Sequence, residues 1–323
     1  MNAIVSVKNK LSARRYDRAV TPNTHSMAQS MPRSIERITP REHLDFKLDE
    51  SLPQYWFGGD PFKTRLLEAV CATFPEGERY FISSVRHYRD QITDPQLQQD
   101  VRDFSRQEGQ HGLVHTEFND LLQARGLPMS GLLANQKKIV NHQLKNWSPE
   151  FNIAYTAACE HVTALMADCF FSDQRTLAGA HPHVRAMLAW HSIEEMEHKA
   201  VAFDVMTRVA GVSQLTRRSA MLFLTLMFIG YSFYDAQLFL KADGFSRTER
   251  LKMMVKGARW AFGKKGILSP MAKPWAAYFR KDFHPWQQQI LPAYQTWLNV
   301  MEQTGDPIAA GEALYRAGRP HSQ

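Results

Sequence analysis

Cysteine is scarce in this chain, with only three among 323 residues. Cys71, Cys159 and Cys169 form neither a disulfide framework nor a C-x-x-C metal site. They suit a reducing compartment, where cysteine serves as a small apolar residue. Sustained apolar/polar alternation is missing too, which argues against a sheet. There is no glycine-rich phosphate loop, no nucleophile elbow and no H-E-x-x-H motif, which sets aside nucleotide-loop, serine-hydrolase and zincin chemistries. Basic residues near the start (Lys8, Lys10, Arg14, Arg15, Arg18) are not followed by an apolar run, so no secretory signal is read, although a mitochondrial-type presequence stays open. The expected compartment is the cytoplasm. No internal repeat, low-complexity segment or nucleic-acid-binding signature stands out.

Charge is unevenly spread. Residues 1–206 carry 23 Lys and Arg against 25 Asp and Glu, whereas residues 207–323 carry 16 against 7. A basic C-terminal third fits either a solvated face or a surface that meets anionic lipid. An apolar run, Ala220 to Tyr234, follows Arg217-Arg218 and stops at Asp235. It is short for a bilayer span of ~20 apolar residues. Segment 219–242 therefore reads as a buried or partner-facing helix, or as an interfacial or membrane-inserted one at the inner membrane. Basic segment 241–281 keeps an anionic membrane surface among the expected partners.

What the chain has in abundance is helix punctuation. Residues 1–35 read as a flexible tail, and 36–323 as a single helical domain. Asp60-Pro61, Asp94-Pro95, Ser148-Pro149 and His181-Pro182 each place a capping residue before proline at the first helical position. The expected helices run over roughly 61–91 with an interruption at Pro75, from 95 to Arg125-Gly126, from 149 to near Gly179, and from 182 to near Gly211. Short turns pair the first with the second and the third with the fourth. The longer link, 127–147, lets two hairpins pack face to face. The bundle core is then about 61–211, with a C-terminal helical extension over 212–323.

Four ligand-like segments fall on those four helices: Glu78, Glu108-Gly-Gln-His111, Glu160 and Glu195-Met-Glu-His198. Residues i and i+3 share a helix face, so each Glu-x-x-His can address one ion. One Glu from each of two helices and one Glu-x-x-His from each of the others is the donor set with which a four-helix bundle holds two iron or manganese ions. Four carboxylates balance two divalent cations, which makes burial tolerable. Iron is the expected metal, then manganese, with zinc behind both. His191 shares the stripe of Glu195 and His198, at spacings of four and seven. Glu194 at the stripe's edge is the fallback ligand, and Glu197 reads as surface. His115 reads as a hydrogen-bonded bundle histidine. Tyr155 and Trp190, close in sequence to the ligand candidates, read as pocket-lining or packing residues, with packing favoured. Asp103, Asp168 and Asp204 are candidate acceptors for the ligands' second ring N–H.

Trp56-Phe-Gly-Gly-Asp60-Pro61, Phe74-Pro-Glu-Gly-Glu78-Arg, Gln107-Glu108-Gly-Gln-His111, His191-Ser-Ile-Glu-Glu195-Met-Glu-His198-Lys-Ala-Val-Ala-Phe-Asp204 and Phe283-His284-Pro285-Trp286 together resemble the bacterial family labelled predicted metal-dependent hydrolase. The resemblance covers about residues 35–300. It implies an all-α, ferritin-like four-helix bundle with extra C-terminal helices and a dinuclear metal site. A more distant resemblance concerns the site alone. The p-aminobenzoate N-oxygenases, diiron bundle enzymes, carry His-x-x-x-Glu-x-x-His on their last ligand helix, a spacing matched by His191, Glu195 and His198. That resemblance implies a seven-residue ligand set: Glu78, Glu108, His111, Glu160, His191, Glu195 and His198. Three functions compete. One is an oxygen-activating oxygenase or oxidase that uses dioxygen on a small or lipid-like substrate. Another is a two-metal hydrolase, as the family label implies. The third is a non-catalytic metal-binding, membrane-associated protein. A homodimer is a further expectation.

Overall fold

Helix starts in the computed structural model follow the Asp-Pro, Ser-Pro and His-Pro punctuation. The structure describes residues 35, 37–289 and 291–319, which all belong to one unit, Met31–Gln323. The expected tail over 1–35 lies outside the described residues except for Ile35. Helix α1, Pro61–Arg86, is capped by Asp60, whose side chain accepts from the Lys63 N–H at 3.1 Å. Helix α2, Pro95–Ala124, is capped by Asp94. Helix α4, Pro149–Phe171, is capped by Ser148, and α5, Pro182–His198, by the ring of His181. Each cap satisfies an N–H that the first helical turn leaves open.

The chain is all-α, and no strand occurs among the described residues beyond two isolated bridges, Phe57 with Ala180 and Asp173 with Arg319. Several boundaries differ from the expected ones. α1 runs unbroken through Pro75. The missing N–H costs one bond, and α2 packs beside the helix there, with Gly112 next to Pro75 and Glu78. α4 stops at Phe171, and 173–180 is a loop. The helix expected through Gly211 breaks after His198 into a short α6, Val201–Asp204, and a π-helical turn, Val205–Val209. The 127–147 link is itself a helix, α3, Met129–Asn146.

The reason for α3 lies in how the core is divided. Two apolar clusters sit at the two ends of the bundle. α1 contributes to the first cluster through Ala72 and to the second from Tyr80, while α2 passes the other way, from Phe104 to Val114. α4 also runs from second to first, from Cys159 to Ala164, and α5 returns from Met196 towards Val201. α1/α2 and α4/α5 are thus antiparallel hairpins, in contact through α1 with α4 and α2 with α5. Because α2 and α4 run in the same direction, the chain must climb the full height between them. Eighteen helical residues at 1.5 Å each cover ~27 Å. Only Met129 and Val140 of α3 are buried, so its apolar signal is faint in the sequence.

The C-terminal third adds α7, Gln214–Ala242, against α1 and α4, then α8, Arg247–Phe262, against α1 and α7. Short α9, Ala272–Ala277, touches α4. α10, Tyr294–Thr304, and α11, Pro307–Ala317, form a pair whose α11 lies on α5. α7 is long and apolar enough to cross a membrane by length and composition, a test that a core helix of a soluble protein can also pass. One side of it is covered, whereas Leu215, Leu222, Leu226, Ile229 and Tyr234 are exposed.

Candidate metal centre

The gap between the two apolar clusters is where the ligand-like residues meet. On α1, α2 and α4 the apolar run breaks for one or two turns and a carboxylate or imidazole takes its place, while on α5 these residues alternate with Ile193 and Met196 of the first cluster. Glu78, Glu108, His111, Glu160, Glu195 and His198 are all at most 3 % exposed, and His191 is 7 % exposed. The structure therefore brings all seven predicted residues into one buried layer. They form three overlapping groups whose donor atoms lie within 4.8 Å of one another: Glu78, His111 and His191; Glu108, Glu160 and His198; Glu108, His111 and Glu195. Two of these groups share no residue, and Glu108, His111 and Glu195 link them. Nε2 of His198 is 3.1 Å from Glu108, 3.3 Å from Glu160 and 3.5 Å from Glu195. The rings of His111 and His191 stack with centroids 4.0 Å apart.

This layer is under electrostatic stress as a set of protein groups alone. Both carboxylate oxygens of Glu78, Glu108 and Glu160 are buried and make no aligned hydrogen bond, as is Nε2 of His198 despite its short approaches. Burial, and then neighbouring carboxylates, push Glu78 and Glu160 well above the usual carboxylate range. Burial also raises Glu108, against the pull of His198. Burial would raise Glu195 as well, but His198 and His191 hold it down. His111 is driven well below the ordinary imidazole value by burial and then by the other histidines, which leaves it neutral and able to donate a lone pair. Buried polar atoms are rarely left orphaned without a role. A donor set of four carboxylates and three imidazoles around orphaned oxygens fits two divalent cations, which would satisfy those atoms and neutralise the charge.

A second layer fixes the ligands, and the sequence pointed to different residues for it. Nδ1–H of His198 donates to Gln107 Oε1 at 2.8 Å, which turns Nε2 inward. Gln107 in turn donates to Glu197 at 2.7 Å. Glu197, expected on the surface, is 2 % exposed and accepts also from Thr39 N, Arg41 and Tyr294 Oη at 2.7–2.8 Å. Its partners come from the segment before α1 and from α10, which helical spacing within α5 could not reveal. Glu194 lies 3.2 Å from Nε2 of His111, and its other oxygen takes the Arg41 backbone N–H. Glu194 Oε2 and His111 Nε2 make no aligned hydrogen bond, so Glu194, the fallback ligand, stands in the buried layer beside Glu195. His191 meets His115 at 2.9 Å between ring nitrogens. The three aspartates proposed as acceptors are elsewhere: Asp103 takes Gln99, Asp168 takes Ser172, and Asp204 takes His284. In each case a local or C-terminal partner lies nearer than a ligand ring.

The Phe283-His284-Pro285-Trp286 motif anchors the chain to the break after α5. His284 is 3.1 Å from Asp204, and the Lys199 ammonium lies 4.9 Å from the Trp286 ring centroid. Two further residues border the layer. Thr163 Oγ1, one helical turn from Glu160, donates to Glu195 Oε2 at 2.5 Å. Phe74 lies 4.8 Å from the His191 ring and 4.6 Å from that of His115. Both also line a cavity of about 1150 Å³ walled by α1, α3, α4 and α7. Tyr155 takes the pocket-lining role and is part of that wall, while Trp190 packs, edge-on to His111 at 4.8 Å.

Neither a curated protein nor a solved structure matches the chain. A family match is found over residues 39–289, which contain every residue of the buried layer and its cavity. The chain belongs to the family described as predicted metal-dependent hydrolase.

Proposed function

We propose that this protein is a dinuclear metal enzyme of ferritin-like type, with iron as its metal and oxygen activation as its chemistry. The observation that carries this reading is the convergence of Glu78, Glu108, His111, Glu160, His191, Glu195 and His198, from four helices, into one buried layer with orphaned donor atoms. Glu78, His111 and His191 would hold one ion, Glu108, Glu160 and His198 the other, with Glu195 between them. When bound, a pair of ferrous ions supplies the electrons with which dioxygen is reduced. The protein's own part is orientation and exclusion. Gln107 holds the His198 ring, and Thr163 holds one oxygen of Glu195. The two apolar clusters keep bulk water from the layer, which strengthens every charge interaction inside it. The adjoining apolar cavity suits a lipid-like substrate.

Two-metal hydrolysis is the second reading, and the family description favours it. One experiment separates the two. Protein loaded anaerobically with ferrous iron is mixed with air, and oxygen uptake and absorbance are followed. Zinc-loaded protein is assayed in parallel with long-chain esters. Oxygen consumption at about half to one equivalent per iron pair supports the first reading. Ester turnover by the zinc form with a silent ferrous form overturns it.

A further inference from the structure

The cavity beside the metal layer has a polarity of its own. α7 faces it with Leu224, Met227, Phe228, Tyr231 and Leu238, spaced as one helical stripe. Within that stripe stands Asp235, which is 6 % exposed and lines the cavity. No hydrogen bond or ion pair to it is found among the described residues, and burial alone raises its carboxyl, to about 6. At neutral pH it is therefore mostly ionised. The other acid of the wall, Glu76, is held by Arg79 at 2.6 Å, and Lys138 and Lys241 are exposed to solvent at the rim. A lone carboxylate in an apolar wall is unfavourable unless a ligand completes it.

Asp235 also has a defined height. Phe228 packs against both apolar clusters, which places it level with the metal layer, whereas Ala236 belongs to the first cluster only. Seven residues of helix separate Phe228 from Asp235, a rise of ~10 Å. Tyr231 and Tyr234, half-exposed to exposed, border the cavity around Asp235, and their ring faces favour a cation.

We propose that the cavity takes a long-chain amine, its ammonium paired with Asp235 and its alkyl chain running along α7 to the level of Thr163 and the metal layer. The amine is the address, and a carbon roughly 10 Å along the chain is what the metal layer meets. This inference rests on the reading that the layer acts on an apolar substrate, but the binding it requires does not need the metals.

The test is calorimetric titration of the full-length protein, metal-free and zinc-loaded, at pH 7.5. Dodecylamine, dodecanol and dodecanoate are compared below their aggregation limits. Dodecylamine is expected to bind at least ten-fold more tightly than dodecanol, with dodecanoate weakest. Asp235→Asn is expected to remove the amine's advantage and keep dodecanol binding, while Asp235→Glu retains the advantage. The proposal is overturned if dodecanoate or dodecanol matches the amine, if the preference survives Asp235→Asn, or if none of the three binds. Oxygen uptake by the ferrous protein is measured without any of these ligands, so failure here and failure of the oxygenase reading are told apart.

Discussion

At the scale of single residues, the buried Glu/His layer depends on neighbours outside it. Gln107 uses both ends of its amide, accepting from His198 and donating to Glu197, itself a carboxylate with four hydrogen-bonded partners. Gln107→Leu keeps the shape but leaves the His198 N–H without an acceptor. Metal affinity is expected to fall by roughly 10- to 100-fold, as for other lost partners of ligating histidines. Competition with a chromophoric chelator measures it, and unchanged affinity would mean that His198 is either not a ligand or is held by something else. The loss of a buried hydrogen bond should also cost about 1–3 kcal/mol of stability, readable by denaturant unfolding. That separate readout keeps the positioning role distinct from a general loosening.

At the scale of elements, the C-terminal helices are joined to the bundle by close backbone contact. Gly311 in α11 lies so near α5 that an added Cβ would meet Ala186 Cα at 2.6 Å. Gly230, on the exposed side of α7, would meet nothing within 4 Å. Identical substitutions should therefore have opposite signs. Gly230→Ala is expected to stabilise by up to ~1 kcal/mol through helix propensity. Gly311→Ala gains the same propensity but forces α11 off α5, and overpacking of ~1–3 kcal/mol wins. Urea midpoints of the two variants decide it. The same closeness explains Gly112 in α2, where a Cβ would stand 3.1 Å from Glu78 Oε2, in the space the metal layer uses.

At the scale of the whole molecule, the uncovered side of α7 and its neighbour α8 combine apolar and basic residues. Leu222, Leu226, Ile229, Leu251, Val255 and Phe262 are exposed, and Arg247, Lys252, Lys256 and Arg259 lie along α8. An anionic bilayer is the expected partner of these residues. Flotation with vesicles of phosphatidylglycerol and phosphatidylcholine is expected to carry the protein upward. Replacing Leu222, Leu226 and Ile229 together by Ser should reduce the floated fraction several-fold, and pure phosphatidylcholine should carry little. Equal flotation on both vesicle types would remove the electrostatic part of this expectation.

The amino-acid sequence by itself determined where the helices carrying Glu78, Glu108 and His111, Glu160, and Glu195 and His198 begin, and which of these residues share a helix face, because both are written in local spacing. Asp60-Pro61, Asp94-Pro95, Ser148-Pro149 and His181-Pro182 satisfy N–H groups within their own first turns, and Glu-x-x-His needs only a helix to share a face. What only the tertiary structure decided is whatever depends on a partner far along the chain. Glu197 is buried because Thr39, Arg41, Gln107 and Tyr294 converge on it. α3 exists because α2 and α4 run the same way, and its two buried residues leave almost no periodic signal. Pro75 stays within its helix, with α2 packed beside it. Asp235 becomes a lone charge in an apolar wall only once α1, α3 and α4 close around α7. Short-range hydrogen bonding is legible residue by residue, whereas burial is a property of the assembled surfaces and appears only when they meet.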